Sequence, residues 1–133
     1  MADISITAAS FVPNADAVLL TGVAGGTLTR GMPVYYDAAS NTYKQLDVTN
    51  TSKDTMAGLC CDDVAVGQPV IIMRSGTCTL GGTVSSGDTV WCSATGLTKT
   101  VGDLTAGWRI IVAGVCTGAS NAFYLNPTRG GVK

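Results

Sequence analysis

Histidine and glutamate are missing from this 133-residue chain, and all nine of its acidic residues are aspartates. Without histidine, Ser-His-Asp and Cys-His catalysis and the mixed histidine and cysteine zinc sites are excluded. An enzyme would have to work with Asp, Lys, Cys, Tyr or Ser alone, and no catalytic, cofactor or metal site is expected. Charged residues are also scarce, 13% of the chain against about 25% in ordinary soluble domains. The eight bases (Arg30, Lys44, Lys53, Arg74, Lys99, Arg109, Arg129 and Lys133) stand singly, so no basic footprint for nucleic acid is present. No apolar run approaches the length needed to cross a bilayer as a helix, and the opening "MADISITAAS" has no cationic stretch before an apolar one; the expectation is a cytosolic product with no membrane contact. The five cysteines at 60, 61, 78, 92 and 116 include no C-x-x-C pair, which points to reduced, small apolar residues. Asn50-Thr51-Ser52 has the form of a glycosylation sequon but reads as polar loop.

Hydrophobic residues make up 46% of the chain. A chain of this length forms one domain burying roughly two thirds of its unfolded surface, and with so few charges to cover the remainder it suits a partner better than solitude. Helical periodicity is absent, whereas short β-rich runs separated by Gly, Asn, Asp and Ser recur. The expected strands are 18–20, 32–36, 43–46, 56–61, 69–73, 77–80, 89–93, 97–100, 109–116 and 123–126. Hairpin links are expected at 37–42, 74–76 and 94–96, with a polar loop at 47–55. The fold class is therefore all-β, a small single-domain β-sandwich or barrel-like fold. Residues 17–133 form the β-rich domain, and residues 1–16 an extended N-terminal arm. Such an arm either adds a strand to a partner, docking Ile4, Ile6, Phe11 and Val12, or pairs within its own domain.

One idiom recurs four times: "GMPVYY" at Gly31, "GQPVII" at Gly67, "GDTVWC" at Gly87 and "GWRIIV" at Gly107. Each glycine is expected to turn the backbone sharply into an apolar strand through a positive φ. "AGLC" at Ala57 and "AGVC" at Ala113 place a glycine inside a strand, where it marks a bulge or a close approach of another backbone.

The other motifs carry little chemistry. "GVAGGT" at Gly22 and "GGTVSSGD" at Gly81 lack the Lys-Ser/Thr ending and the helix of a phosphate loop. Asp62 and Asp63 diverge if on a strand and fit a solvated turn; Asp88 and Asp103 adjoin glycines and fit turns. "AGLCCDD" resembles a motif of the trimeric β-fold hydrolases of deoxyuridine triphosphate, but Cys60 stands where that motif has its aspartate. Trp91, Trp108, Tyr35, Tyr36 and Tyr124 serve either as core and interface anchors or as a platform for sugars.

Taken in order, "MADISITAAS", "GTLTRGMPVYYDAASNTYKQLD", "AGLCCDDVAVGQPVIIMRSGTCTLGG" and "DLTAGWRIIVAGVCTGASNAFYLNPT" resemble the capsid decoration, or cement, proteins of tailed bacteriophages over nearly the whole chain. The resemblance implies a β-rich, commonly homotrimeric protein on the outer surface of the virion head. It would be made in the host cytoplasm, with the phage major capsid protein as partner and Ile4, Ile6, Phe11 and Val12 as contact arm. The segment 77–100 departs from the compact members and reads as an extra hairpin. A virion-surface module holding host glycans through Trp91, Trp108 or Tyr36 is the alternative.

Overall fold

The computed structural model describes Ile4, Ile6 and residues 11–81, 84–94, 96–118 and 122–133. Among these the chain is built from ten strands and a short 3-10 turn, Val101–Asp103. The strands are β1 (Val12–Pro13), β2 (Val18–Val23), β3 (Pro33–Asp37), β4 (Thr42–Gln45), β5 (Gly58–Cys60), β6 (Pro69–Thr79), β7 (Thr89–Cys92), β8 (Leu97–Thr98), β9 (Arg109–Cys116) and β10 (Ala122–Val132). Hydrogen bonding runs β4-β3-β5-β6-β10-β9-β7-β8, with β1 and β2 both on β6. The all-β reading of the sequence holds.

The long strand β6 organises the molecule because its two halves belong to different sheets. Its C-terminal half pairs with β1 and β10, which continues into β9, β7 and β8; this is sheet A. Its N-terminal half pairs with β2 and β5, which continues into β3 and β4; this is sheet B. The hairpin expected at 74–76 does not exist: β6 runs straight through from Pro69 to Thr79. Gly76 does take a positive φ of 105°, a geometry that suits glycine. Here it bends one strand between two sheets and does not reverse it. A Cβ at Gly76 would lie 2.7 Å from Ala17 Cα and from the Asp16 carbonyl oxygen, so the kink also seats the β1–β2 link.

Nor is the segment 77–100 one extra hairpin: residues 77–79 are the end of β6, paired with β1 and β10, and only β7 and β8 within the segment pair with each other. Several other signals hold. Gly31, Gly67, Gly87 and Gly107 all have positive φ ahead of their strands. The hairpin between β3 and β4 turns through Asn41 at φ 55°, with the Asp37 carboxylate accepting a hydrogen bond from Ala39 N. The β7–β8 link closes by Ser93 N donating to Gly96 O. Gly58 and Gly114 mark close approaches: a Cβ there would lie 2.1 Å from Met73 O and 1.9 Å from Tyr124 O.

Sheet B curls until the chain beyond β2 meets β4. Ala24 bridges Tyr43, and Gly25 N donates to Tyr43 O. Inside the curl lie Ala24, Leu28, Val34, Cys60, Val70 and Ile72. The larger core lies between the inner face of sheet A and the other face of sheet B. There Cys78, Val90, Cys92, Ile111, Cys116, Phe123 and Leu125 from sheet A meet Tyr35, Leu59 and Met73 from sheet B.

Candidate interaction surface

Two of the proposed contact residues belong to the protein's own core. Ile4 and Phe11 are buried, 8% and 1% exposed, and both join the larger core. Ile4 N donates to Leu97 O at 2.6 Å on the free side of β8. Val12 and Pro13 pair with Thr79 and Cys78. Ile6 is half-buried, packed on that core and over Gly31. Of the four proposed contact residues only Val12, 51% exposed, offers its side chain to solvent. The described residues of the arm therefore pair within their own domain, the second of the two expected placements; residues 1–3, 5 and 7–10 lie outside the described residues.

One surface free of charge lies on sheet A, facing away from the core. Strict registers place Thr77, Tyr124, Val115 and Thr89 in one row across β6, β10, β9 and β7. Val12, Thr79 and Ala122 form a second row. Register shifts at β9, between Leu125 and Thr128 on β10 and between Val90 and Trp91 on β7, turn Ala113 and Gly114 inward together. They bring Thr128, Val112 and Trp91 into a third row facing the same way. No residue of these rows is ionisable except Tyr124. Asp16, whose carboxylate accepts from Thr77 Oγ1 at 2.6 Å, stands at one margin. Asp103, accepting from Thr98 Oγ1 at 2.6 Å, stands at the other. The hydrogen bond from Thr77 holds the Asp16 carboxyl below its ordinary range. This face was missed in the sequence, because bulges broke the alternation that would have shown it.

The aromatic residues do not gather into one platform. Tyr36 stacks obliquely on Tyr43 with ring centroids 5.2 Å apart, on sheet B. Trp91 lies on β7 of sheet A, and Trp108 packs against the larger core. Nor do two clefts among the described residues bring two carboxylates together. A cleft of about 450 Å³ between β6 and β10 is lined by Val18, Met56, Arg74, Ser75, Asn126 and Pro127. Another, of about 290 Å³, sets Lys44 and Lys53 beside the single carboxylate of Asp47.

Asp62 and Asp63 are turn residues, as expected: Asp62 accepts from Ile71 N and Asp63 from Arg30 N. Among the described residues no group of three His, Cys, Asp or Glu side chains could hold a metal. The five cysteines are free thiols. Burial pushes Cys61 up to about 11 and Cys78 up to about 12, which suppresses thiolate chemistry at neutral pH.

A buried charge cluster was not foreseen. Asp54, at the end of the loop read as polar, is only 2% exposed; it accepts from Arg109 Nε at 2.9 Å and from Arg129 Nη2 at 3.1 Å. Burial raises the carboxyl pKa, but the two guanidinium groups outweigh it and hold Asp54 below its ordinary value. The cluster ties the 47–55 loop to β9 and β10.

No family model, curated protein or solved structure matches this chain.

Proposed function

We propose that this chain is a structural protein of a bacteriophage virion. It binds the outer surface of the mature head and stabilises it by bridging neighbouring major capsid subunits. The observation that carries the reading is the ordered series of motifs from "MADISITAAS" to "FYLNPT", which resembles the decoration proteins over nearly the whole chain. Two features support it: low charge throughout, 13% of residues, and a wide uncharged β-face suited to packing on protein. The chain acts by binding and carries out no reaction. A protein that binds the expanded shell more tightly than the immature or ruptured one stabilises it by that difference in affinity. A homotrimer on matching lattice symmetry would turn modest contacts per subunit into avidity.

The anchoring differs from a free tether, since Ile4 and Phe11 would have to leave the core to act as one. Contact through residues already exposed, with Val12 the arm's contribution, costs no unfolding. Phage heads assembled with and without the chain, compared by electron microscopy and by resistance to heat and osmotic shock, test the reading. Decorated heads should survive treatment that opens bare ones. Equal survival, or a recombinant chain that never adheres to empty shells, overturns it.

A further inference from the structure

We infer that Arg30 and the cavity beside it form a binding site for one carboxylate group carried on a short apolar stem, and that filling the site holds the N-terminal arm on the domain. The inference does not rest on the capsid reading, which the binding of wild type to heads tests separately.

The observation that carries it is a cation without a counterion. Arg30 is half-buried, and its Nε is closed off from solvent with no hydrogen-bond partner. No carboxylate among the described residues makes an ion pair with its guanidinium. The two acids of the nearby turn are committed to main chain: Asp63 accepts from Arg30 N at 2.9 Å and Asp62 from Ile71 N at 3.1 Å. Burial strips water from a charge, and that cost stands until an opposite charge replaces the water. Arg74 also forms no ion pair, but it is exposed and keeps its water, so it calls for no ligand.

Size and lining select the ligand. The cavity measures about 130 Å³, and its other walls are mainly apolar: Ile4, Ile6, Met32, Pro33 and Leu97. At about 30 Å³ per water it has room for about four waters, enough for a carboxylate and its first carbons and too little for a sugar or nucleotide. The main-chain donors of its two glycines are already used, Gly31 N by Cys60 O and Gly96 N by Ser93 Oγ. A single guanidinium with no nest of free N–H groups around it suits a planar monoanion better than a phosphate dianion.

The arm supplies part of the wall. Ile4 and Ile6 both line the cavity, and Ile4 N donates to the carbonyl of Leu97, a residue of the same wall. The site is complete only while the arm is docked, so a ligand that fills it stabilises the docked state by its preference for that state.

Denaturant unfolding of the full chain near pH 7, in about 0.1 M sodium acetate or about 0.1 M sodium chloride, tests the inference. The folding constant of wild type should be about tenfold higher in acetate, as a Kd of about 10 mM implies, and hydrogen exchange of the Ile4 amide should slow. Arg30→Gln should lose the difference. Arg30→Lys, which keeps the charge without the planar fork, should retain part of it, and Arg74→Gln all of it. Replacing acetate by N-acetylaspartate N-methylamide separates the sources of the carboxylate. Binding at least as tight as that of acetate assigns the site to an acidic side chain of a partner protein; binding of acetate alone assigns it to a free small acid. A wild type that responds alike to acetate and chloride overturns the proposal, since water alone would then serve Arg30. So does an Arg30→Gln that responds as wild type does. An Ile4 amide indifferent to acetate overturns the coupling to the arm. Asp3, next to Ile4 in the sequence, lies outside the described residues; a response present in Asp3→Asn and absent from wild type would mean that the chain supplies its own carboxylate, and would overturn an external ligand.

Discussion

Sheets A and B share β6 and dispose of their apolar side chains in opposite ways. Sheet B curls until Ala24 meets Tyr43, and its middle strand β5 is buried along its whole length. Cys60 and Ile72 face the inside of the curl while Leu59 and Met73 face the larger core. Sheet A alternates: Val90 and Cys92 point into the core, whereas Thr89 and Trp91 are half-exposed on the other side. Curling covers the inside of sheet B, while Leu19, Val23 and Ile71 on β2 and β6 stay exposed; on sheet A it is Tyr124 and Val115 that stay exposed. Both sheets require backbones to approach closely, and there the comparison can be broken most forcefully.

Gly114→Val on sheet A and Gly58→Val on sheet B carry the largest expected effect. A Cβ at either glycine meets a main-chain carbonyl oxygen of the neighbouring strand, at 1.9 Å and 2.1 Å. Backbone cannot yield as a side-chain tip does, so both variants should lose more than about 4 kcal/mol and accumulate as insoluble chain. Soluble expression with a melting temperature near wild type for one and not the other would show that only one sheet depends on the close approach.

Next comes Asp54→Ala, which leaves Arg109, 16% exposed, facing a buried void. Removing one member of a buried ion cluster costs about 3 kcal/mol; Arg129, 43% exposed and screened by water, contributes the smaller share. The acid limb follows from the direction of the shift. Because the folded carboxyl sits below its ordinary value of 3.8, its stabilisation is present in full above that value. It is lost as pH falls through the lower, folded value. Chemical denaturation between about pH 7 and pH 2 should show this loss in wild type and a shallower limb in Asp54→Asn. Identical limbs would remove the cluster from the account.

Much of this architecture was legible in the sequence, and the reasons are local. Gly31, Gly67, Gly87 and Gly107 each announced a strand because a sharp turn into an apolar run needs the left-handed region, which glycine enters freely. The β3–β4 hairpin was legible through Asp37 and Asn41. What failed were features decided by distant partners. Ser75-Gly76 has the composition of a turn, yet β1, β2 and β10 pair on either side of it and hold the strand extended. Asp54 looked like one more loop acid, because its arginines stand 55 and 75 residues away. The outer face of sheet A was hidden by the register shifts of β9, which no periodicity of two can follow.

The N-terminal residues sharpen the comparison at a smaller scale. Ile4→Ala removes a side chain 8% exposed in the core under sheet A and should cost about 2 kcal/mol. Ile6→Ala, half-buried over Gly31 at the start of sheet B, should cost about half as much. Denaturant midpoints of the free protein measure both. Equal and negligible losses would mean that the arm leaves the domain in solution, and it would again be available as a tether.

The smallest effects bear on the free faces themselves. Val115→Thr on sheet A and Leu19→Thr on sheet B replace side chains 40% and 49% exposed by residues that suit a strand. Each should change the stability of the monomer by no more than about 0.5 kcal/mol. They should part company in attachment to heads: Val115→Thr lowers the apolar area of the uncharged face and weakens attachment several-fold, whereas Leu19→Thr leaves it unchanged. If the two behave alike in binding to heads as well as in denaturation, exposure alone does not distinguish the sheets. The contrast between a curled sheet and one with an uncovered face would then describe the fold without saying anything about its use.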